Sequence, residues 1–401
     1  MKLEDAADLK PLVRIRQIYL DYQATTPVDL RVGDRMLHYM TEEFGNASSI
    51  DHEMGDRAEA AIKNASKQVA NLINASPREV VFTSGATESI NLAIQGTVKA
   101  IKSKGITPKV AHTTVEHKAV LDTCDSLQKQ GLAELIEIPV NSNAQVDLEY
   151  VEQICAAGLH LLCVMAANNE VGAIYPIQEI GQIASRYNIP FLCDASQAIG
   201  KLPLNFQDSN ITLLAISAHK LYGPKGIGAL VIRKGFHLEP TLYGGGHQKR
   251  VRPGTLNVPG IVGLGEACHL RQIEMVDDEK AIGQIRDRLQ QKLLHKIPDL
   301  VINGDINHRL AGNLHISIPG ILNKAVIARI RHKLAISTGA ACSSGVEAPS
   351  HVLRAMNLPS DVIEGALRIS LGKFTTELEI DEAADLLSKA VESTRKAMTS
   401  V

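Results

Sequence analysis

Lys220 lies in Ala215-Ile-Ser-Ala-His-Lys-Leu-Tyr-Gly-Pro-Lys-Gly-Ile-Gly228, just after an apolar run and just before a glycine-rich turn. A lysine in a pocket that lowers its pKa is the side chain that forms Schiff bases with carbonyl compounds. A surface lysine beside a loop is the competing reading, so the rest of the chain has to decide. Thr87, His117, Asn169, Asp194 and Lys220 each fall at or just past the end of a short apolar, strand-like run. Ligands of open parallel sheets bind outside the carboxyl ends of the strands. The five residues would therefore meet in one place.

The elements that must hold them follow from patterning. Residues 79–82, 109–113, 161–167, 190–194, 212–216 and 228–232 read as strands, and helical spacing recurs between them, as in Ala58, Ala61, Ile62, Ala65, Val69, Leu72 and Ile73. Short apolar strands alternating with helices imply an α/β fold, a mainly parallel sheet flanked by helices. A long helical region over about 262–296 follows, and the texture then changes to shorter strands at 312–318, 335–337 and 366–371. These suggest a smaller α+β domain of antiparallel type. Thr376-Glu-Leu-Glu379 resembles a capping box opening a last helix that runs to about Met398. The expected division is an N-terminal segment, 1–30, packing with the small domain; a large domain, 31–262; and the small domain, 263–401.

Composition narrows the classes. A formal net charge of -2 excludes a globally basic nucleic-acid binder, and 3% aromatics without tryptophan argue against stacking platforms for single strands. The six cysteines contain no C-x-x-C pair, which disfavours a zinc ribbon or disulfide framework and suits a reducing cytosol. Five have apolar or helical contexts, whereas Cys342 lies in the small, polar Ser337-Thr-Gly-Ala-Ala-Cys-Ser-Ser-Gly345. The N-terminus is acidic and lacks the apolar core of a signal peptide, and no apolar run reaches membrane-spanning length. The expectation is a soluble, cytoplasmic protein. Leu242-Tyr-Gly-Gly-Gly-His-Gln-Lys-Arg-Val-Arg-Pro-Gly-Thr255 is a basic, glycine-rich loop, open to reading as a lid, a phosphate clamp or a subunit contact.

A lysine carrying an aldehyde cofactor with a phosphate and a pyridine nitrogen, pyridoxal phosphate, gives the neighbours roles. Asp194 is the strand-end carboxylate that would keep the ring nitrogen protonated; a helix N-cap is its alternative. Gln197 would hydrogen-bond the phenolic oxygen, or be a surface glutamine. His117 would stack on the ring and shuttle protons, or be structural. The glycine-containing turn at Gly85-Ala-Thr87 opens a helix whose free N–H groups suit phosphate, with Ser217 and His219 beside it.

Seven motifs carry a resemblance: Thr83-Ser-Gly-Ala-Thr-Glu-Ser89, Thr114-Val-Glu-His-Lys118, Asn168-Asn-Glu-Val-Gly172, Asp194-Ala-Ser-Gln197, Ser217-Ala-His-Lys220, Arg252-Pro-Gly-Thr255 and Ser337-Thr-Gly-Ala-Ala-Cys342. Together they resemble the cysteine desulfurases of the NifS/IscS group, within the class V aminotransferase family of fold-type I pyridoxal phosphate enzymes. The similarity runs from about Ile18 to about Glu379. It implies Lys220 as the Schiff-base lysine, Asp194 on the pyridinium nitrogen, Gln197 on the phenolic oxygen and His117 as acid/base. It places Ala86, Thr87, Ser217 and His219 around the phosphate and Asn169 in the cofactor site. Thr255 would reach the phosphate of the other subunit of a homodimer. Asn46, Asn169 and Arg368 would bind substrate; a structural ion pair is the alternative for Arg368.

The resemblance makes Cys342 the nucleophile that takes sulfur from L-cysteine as a persulfide and leaves alanine. No metal is implied. Sulfur would pass to acceptor proteins serving iron–sulfur assembly, tRNA thiolation or DNA phosphorothioation. Ala47 stands where many relatives have proline, and Ala340 and Ser343 vary the nucleophile motif. The chain stops at Val401, without the longer tail that housekeeping iron–sulfur members use to dock a scaffold, which leaves the acceptor open. Lys249, Arg250 and Arg252 form a small basic group, read as a solvated subunit-contact loop; no direct nucleic-acid binding is expected. An aminotransferase or selenocysteine lyase on the same fold is the alternative enzyme, and an inactive docking platform the alternative outside catalysis.

Overall fold

A computed structural model describes residues 17–338 and 349–399. Its main sheet has seven strands in the spatial order Val80–Thr83, Gly228–Ile232, Leu213–Ser217, Phe191–Asp194, Leu161–Cys163, Lys109–Thr113 and Glu134–Ile138. The five strands from Leu213–Ser217 to Glu134–Ile138 pair in parallel, and Gly228–Ile232 runs antiparallel to both of its neighbours. Two antiparallel steps restore direction, so Val80–Thr83 ends on the same edge as the parallel strands. Strand Leu213–Ser217 is buried at every residue, as helices on both faces require of an apolar central strand.

The strand expected over 161–167 pairs as a strand only over Leu161–Cys163. The chain stays extended beyond it: the Ala166 amide donates to the Asp194 carbonyl at 2.9 Å, and the Met165 amide to Glu116 Oε1 at 2.8 Å. A side chain has replaced the neighbouring strand. The helix expected over about 262–296 begins earlier, spanning Val258–Lys296, with the Asn257 side chain accepting from the Gly260 amide at its start. It runs through position 262. Its first turns pack into the core of the large sheet, while Ile282, Leu289 and Leu293 belong to a second core.

That second core is built on an antiparallel sheet in which Asn313–Ser317 lies between Ala366–Ser370 and Val301–Ile302. Strand Ile18–Tyr19 pairs in parallel with Leu334–Ala335, and the chain then crosses to the edge where the parallel strands end. The Thr376 amide donates to Glu379 Oε2 at 2.9 Å and the Glu379 amide to Thr376 Oγ1 at 3.3 Å, the reciprocal pair of a capping box ahead of helix Glu377–Thr399. No helix among the described residues is long and apolar enough to cross a membrane.

Candidate active site

At the carboxyl edge of the sheet lies a cavity of about 510 Å³ whose lining includes Ala86, Thr87, His117, Asn169, Asp194, Gln197, Ser217, His219, Lys220 and Arg368. All but Arg368 come from the ends of strands of the main sheet or the turns that follow them, and Arg368 reaches the cavity from the middle of strand Ala366–Ser370 of the smaller antiparallel sheet. Asn46 and Thr255 are exposed and do not line it. Cys342 lies outside the described residues.

The end of the cavity at Gly85 is shaped by two glycines. Gly85 has φ +155°, a conformation side chains rarely adopt, and opens helix Ala86–Lys102 with no side-chain cap. Gly228 faces it: a Cβ there would stand 2.3 Å from the Ile216 carbonyl oxygen and 2.7 Å from Gly85 Cα. The turn can reach strand Leu213–Ser217 only because both positions are bare. An uncapped helix N-terminus presents N–H groups and the positive end of the dipole. His219 holds Thr25 Oγ1 at 3.1 Å through Nδ1; burial, with Lys220, Lys225 and Lys201 nearby, pushes its pKa down to about 4. It is a neutral hydrogen-bonding ring at neutral pH.

Asp194 closes strand Phe191–Asp194 and is buried, with Oδ1 accepting from the Ser196 amide at 2.9 Å and Ser196 Oγ at 2.5 Å. The cap reading and the site reading thus share one carboxylate, since the same residue also lines the cavity. Lys220 Nζ donates to the main-chain oxygens of Gln23 and Ala24, each at 2.7 Å. Gln197 Nε2 donates to the same Gln23 oxygen at 2.9 Å. His117 caps helix Lys118–Lys129, its Nδ1 accepting from the Ala119 amide at 3.1 Å, which places the proton of the neutral ring on Nε2.

Arg368 donates to the Asn169 carbonyl at 2.8 Å and to Asp21 Oδ1 at 2.8 Å. It is therefore ion-paired and cavity-lining at once. Its Nε and the Asn169 Oδ1 are buried without a partner among the described residues, two polar atoms left for a bound group. Asn168 steadies this corner, its Oδ1 accepting from the Glu170 and Val171 amides at 2.8 and 3.0 Å. The residues on either side of 339–348 are also held here. Ser337 is paired through its main chain with Arg368, and Ser350 Oγ donates to Glu170 Oε2 at 2.5 Å.

Several contributors escaped sequence reading. Asp21, Gln23 and Ala24 arrive from the N-terminal turn, and main-chain oxygens carry no side-chain signal. Glu116 is 1% exposed, and burial pushes its carboxyl up to about 8. Its place in Thr114-Val-Glu-His-Lys118 was the one available hint. In the basic loop, Arg252 pairs with Glu88 at 2.7 Å and Lys249 Nζ donates to the Arg78 carbonyl at 3.0 Å. Two of its three cations are engaged within the chain. The five described cysteines are buried, and burial raises every thiol: Cys155 to about 11, Cys124 to about 12, and Cys163, Cys193 and Cys268 further. Burial and raised thiols set all five against the exposure and thiolate character that a nucleophile needs.

With this geometry in hand, comparison places the chain. It belongs to the aminotransferase class-V family, which it matches over residues 18–383. A cysteine desulfurase IscS of Shewanella loihica is 44% identical over 383 residues, covering 94% of each chain. Among solved structures, a NifS-like protein superposes with a TM-score of 0.87 at 33% identity, covering 94% of this chain and 99% of its own. SspA, solved in complex with cysteine, gives a TM-score of 0.79 at 32% identity over 90% of this chain and 100% of its own. The resemblance to the cysteine desulfurases and the fold-type I class read from the motifs are borne out. The cofactor of that class is pyridoxal phosphate. The open helix terminus, the buried carboxylate and the lysine in one cavity fit it.

Proposed function

We propose that this chain is a pyridoxal-phosphate-dependent cysteine desulfurase, releasing L-alanine from L-cysteine and carrying the sulfur as a persulfide on Cys342. The observation that carries the reading is the convergence of Lys220, Asp194, His117 and Arg368 on one cavity beside an uncapped helix N-terminus. When bound, the cofactor supplies an electron sink that loosens the carbon–sulfur bond. The chain does the rest. Lys220 anchors the cofactor and moves a proton at the substrate carbon. Asp194 holds the ring nitrogen protonated, Gln197 donates to the phenolic oxygen, and Ala86, Thr87, Ser217 and His219 hold the phosphate. Arg368 and Asn169 orient the substrate carboxylate, and an arginine fork suits that geometry; Asn46, expected beside them, does not line the cavity. His117 shuttles a proton through Nε2.

Cys342 attacks the substrate sulfur as a thiolate. A sulfur–sulfur bond forms as the carbon–sulfur bond breaks, and the carbon keeps the electron pair and takes a proton to become the methyl of alanine. With every described cysteine buried and its thiol raised, Cys342 is the remaining candidate among the six.

The same reading makes the protein a cytoplasmic homodimer in which Thr255 reaches the partner's phosphate site; its exposure on the basic loop suits that role. The proposed division between the domains lies near residue 262; the long helix stays with the first core through Leu270 and joins the second from Ile282. The persulfide passes to acceptor proteins of iron–sulfur assembly, tRNA thiolation or DNA phosphorothioation, without direct nucleic-acid contact. The test is product analysis of the purified protein with pyridoxal phosphate, L-cysteine and a reductant. Alanine and sulfide in equal amounts are expected. A keto acid would point to an aminotransferase, turnover restricted to selenocysteine to a lyase, and no product to a docking platform.

A further inference from the structure

Behind Gln197 stands a second lysine that none of the roles above uses. Lys201 Nζ donates to Gln197 Oε1 at 3.1 Å, and Gln197 Nε2 donates to the Gln23 carbonyl oxygen at 2.9 Å, the oxygen that also accepts from Lys220 at 2.7 Å. An ammonium can only donate and a carbonyl oxygen can only accept. The two contacts therefore allow one orientation of the amide. Oε1 must face Lys201, and Nε2, with its second N–H, must stand on the side of Gln23 and Lys220. Gln197 itself lines the cavity.

Lys201 is in turn held from behind by helix Val258–Lys296. Arg271, itself 1% exposed, donates through Nε to the Gly200 carbonyl at 2.7 Å and pairs with Asp278 and, at 3.2 Å, with Glu279. The charges that act on Lys201 are Glu279 and Arg271 of that helix, Lys220 and Arg368. Glu279 attracts the ammonium and the three cations repel it, and the hydrogen bond that holds it among the described residues is the one to Gln197 Oε1.

We propose that Lys201 is a positioning residue for the cofactor, fixing the Gln197 amide so that N–H, and not the amide oxygen, meets the phenolic oxygen of pyridoxal phosphate. The proposal rests on the reading of Gln197 given above. Its consequence is spectroscopic: an N–H donor stabilises the ionised phenolic oxygen and lowers the pH at which the bound cofactor changes colour.

The test measures that pH midpoint by visible absorbance of the cofactor-loaded protein for Lys201→Met, Lys201→Arg, Gln197→Ala and the double variant Lys201→Met/Gln197→Ala. Loss of one hold on the amide should raise the midpoint of Lys201→Met by about half a pH unit. Lys201→Arg, still a donor, should restore it, and in the Gln197→Ala background the Lys201→Met shift should shrink to what loss of the charge alone produces. The double variant matters because removing a nearby cation would raise the midpoint by itself, and a charge effect persists without Gln197. An equal shift in both backgrounds, or none in Lys201→Met while Gln197→Ala shifts, overturns the proposal. No shift in Gln197→Ala overturns instead the assignment of Gln197 to the phenolic oxygen.

Discussion

Ser337 and Arg368 exchange both of their main-chain hydrogen bonds, the Arg368 amide to the Ser337 oxygen at 2.7 Å and the Ser337 amide to the Arg368 oxygen at 3.1 Å. Five residues before the proposed nucleophile, the chain is thus registered to the arginine proposed to hold the substrate carboxylate. At the other end of 339–348, Ser350 bonds Glu170, which follows Asn169 in sequence. The described residues flanking 339–348 are thus held at Arg368 and beside Asn169, two residues proposed to place the substrate.

Arg368→Lys tests the carboxylate clamp. Lysine keeps the charge but loses the planar fork and the simultaneous reach to Asn169 and Asp21. We expect KM for L-cysteine to rise and kcat/KM to fall by about 10–100-fold, a loss of one or two charge-assisted hydrogen bonds. Steady-state alanine production over a range of cysteine concentrations checks it; an unchanged KM would confine Arg368 to its ion pair.

Gly228→Ala tests the phosphate cup. The added Cβ would meet backbone atoms at 2.3 and 2.7 Å, which cannot swing aside as a side chain could. The Gly85 turn must move away from the strand, so cofactor affinity should fall at least about 10-fold, measured by titrating the cofactor-free protein with pyridoxal phosphate. Affinity within twofold of the parent would contradict the account.

Glu116→Gln tests a buried carboxyl. Burial raises Glu116 in the folded protein to about 8 from an ordinary 4.5. Between those values the native state binds more protons than the unfolded chain, so stability is full below about pH 4.5 and declines as pH rises toward 8. Glutamine keeps an acceptor for the Met165 amide and Thr113 Oγ1 but cannot ionise. The decline in denaturation midpoint between pH 5 and 8 should flatten in the variant; an unchanged slope would mean that Glu116 does not titrate in that window.

What could be read beforehand was whatever local pattern controls. Apolar runs bounded by polar turns marked the strand ends, and with them Thr87, His117, Asn169, Asp194 and Lys220. Strand Glu134–Ile138 escaped because it lies at the sheet edge, where its charged, partly exposed residues show no apolar run. The short helices Asn323–Ile330 and His351–Ala355 span too few residues for a period to stand out. Within the site, the partners of Lys220 lie 196 and 197 residues away and are main-chain oxygens. Lys201 and Glu116 acquire their character from burial, which depends on the whole fold. Side-chain chemistry was legible; the shell that orients it was not.

The central claim is that Cys342 carries the sulfur that Lys220 and its cofactor help to release. Its most direct test is the mass of the Cys342 peptide after the cofactor-loaded protein has reacted with L-cysteine in the absence of reductant. The account predicts that this peptide alone gains one sulfur atom, and that Cys342→Ser binds the cofactor but forms no alanine. Added sulfur on another cysteine, or undiminished alanine from Cys342→Ser, would contradict it.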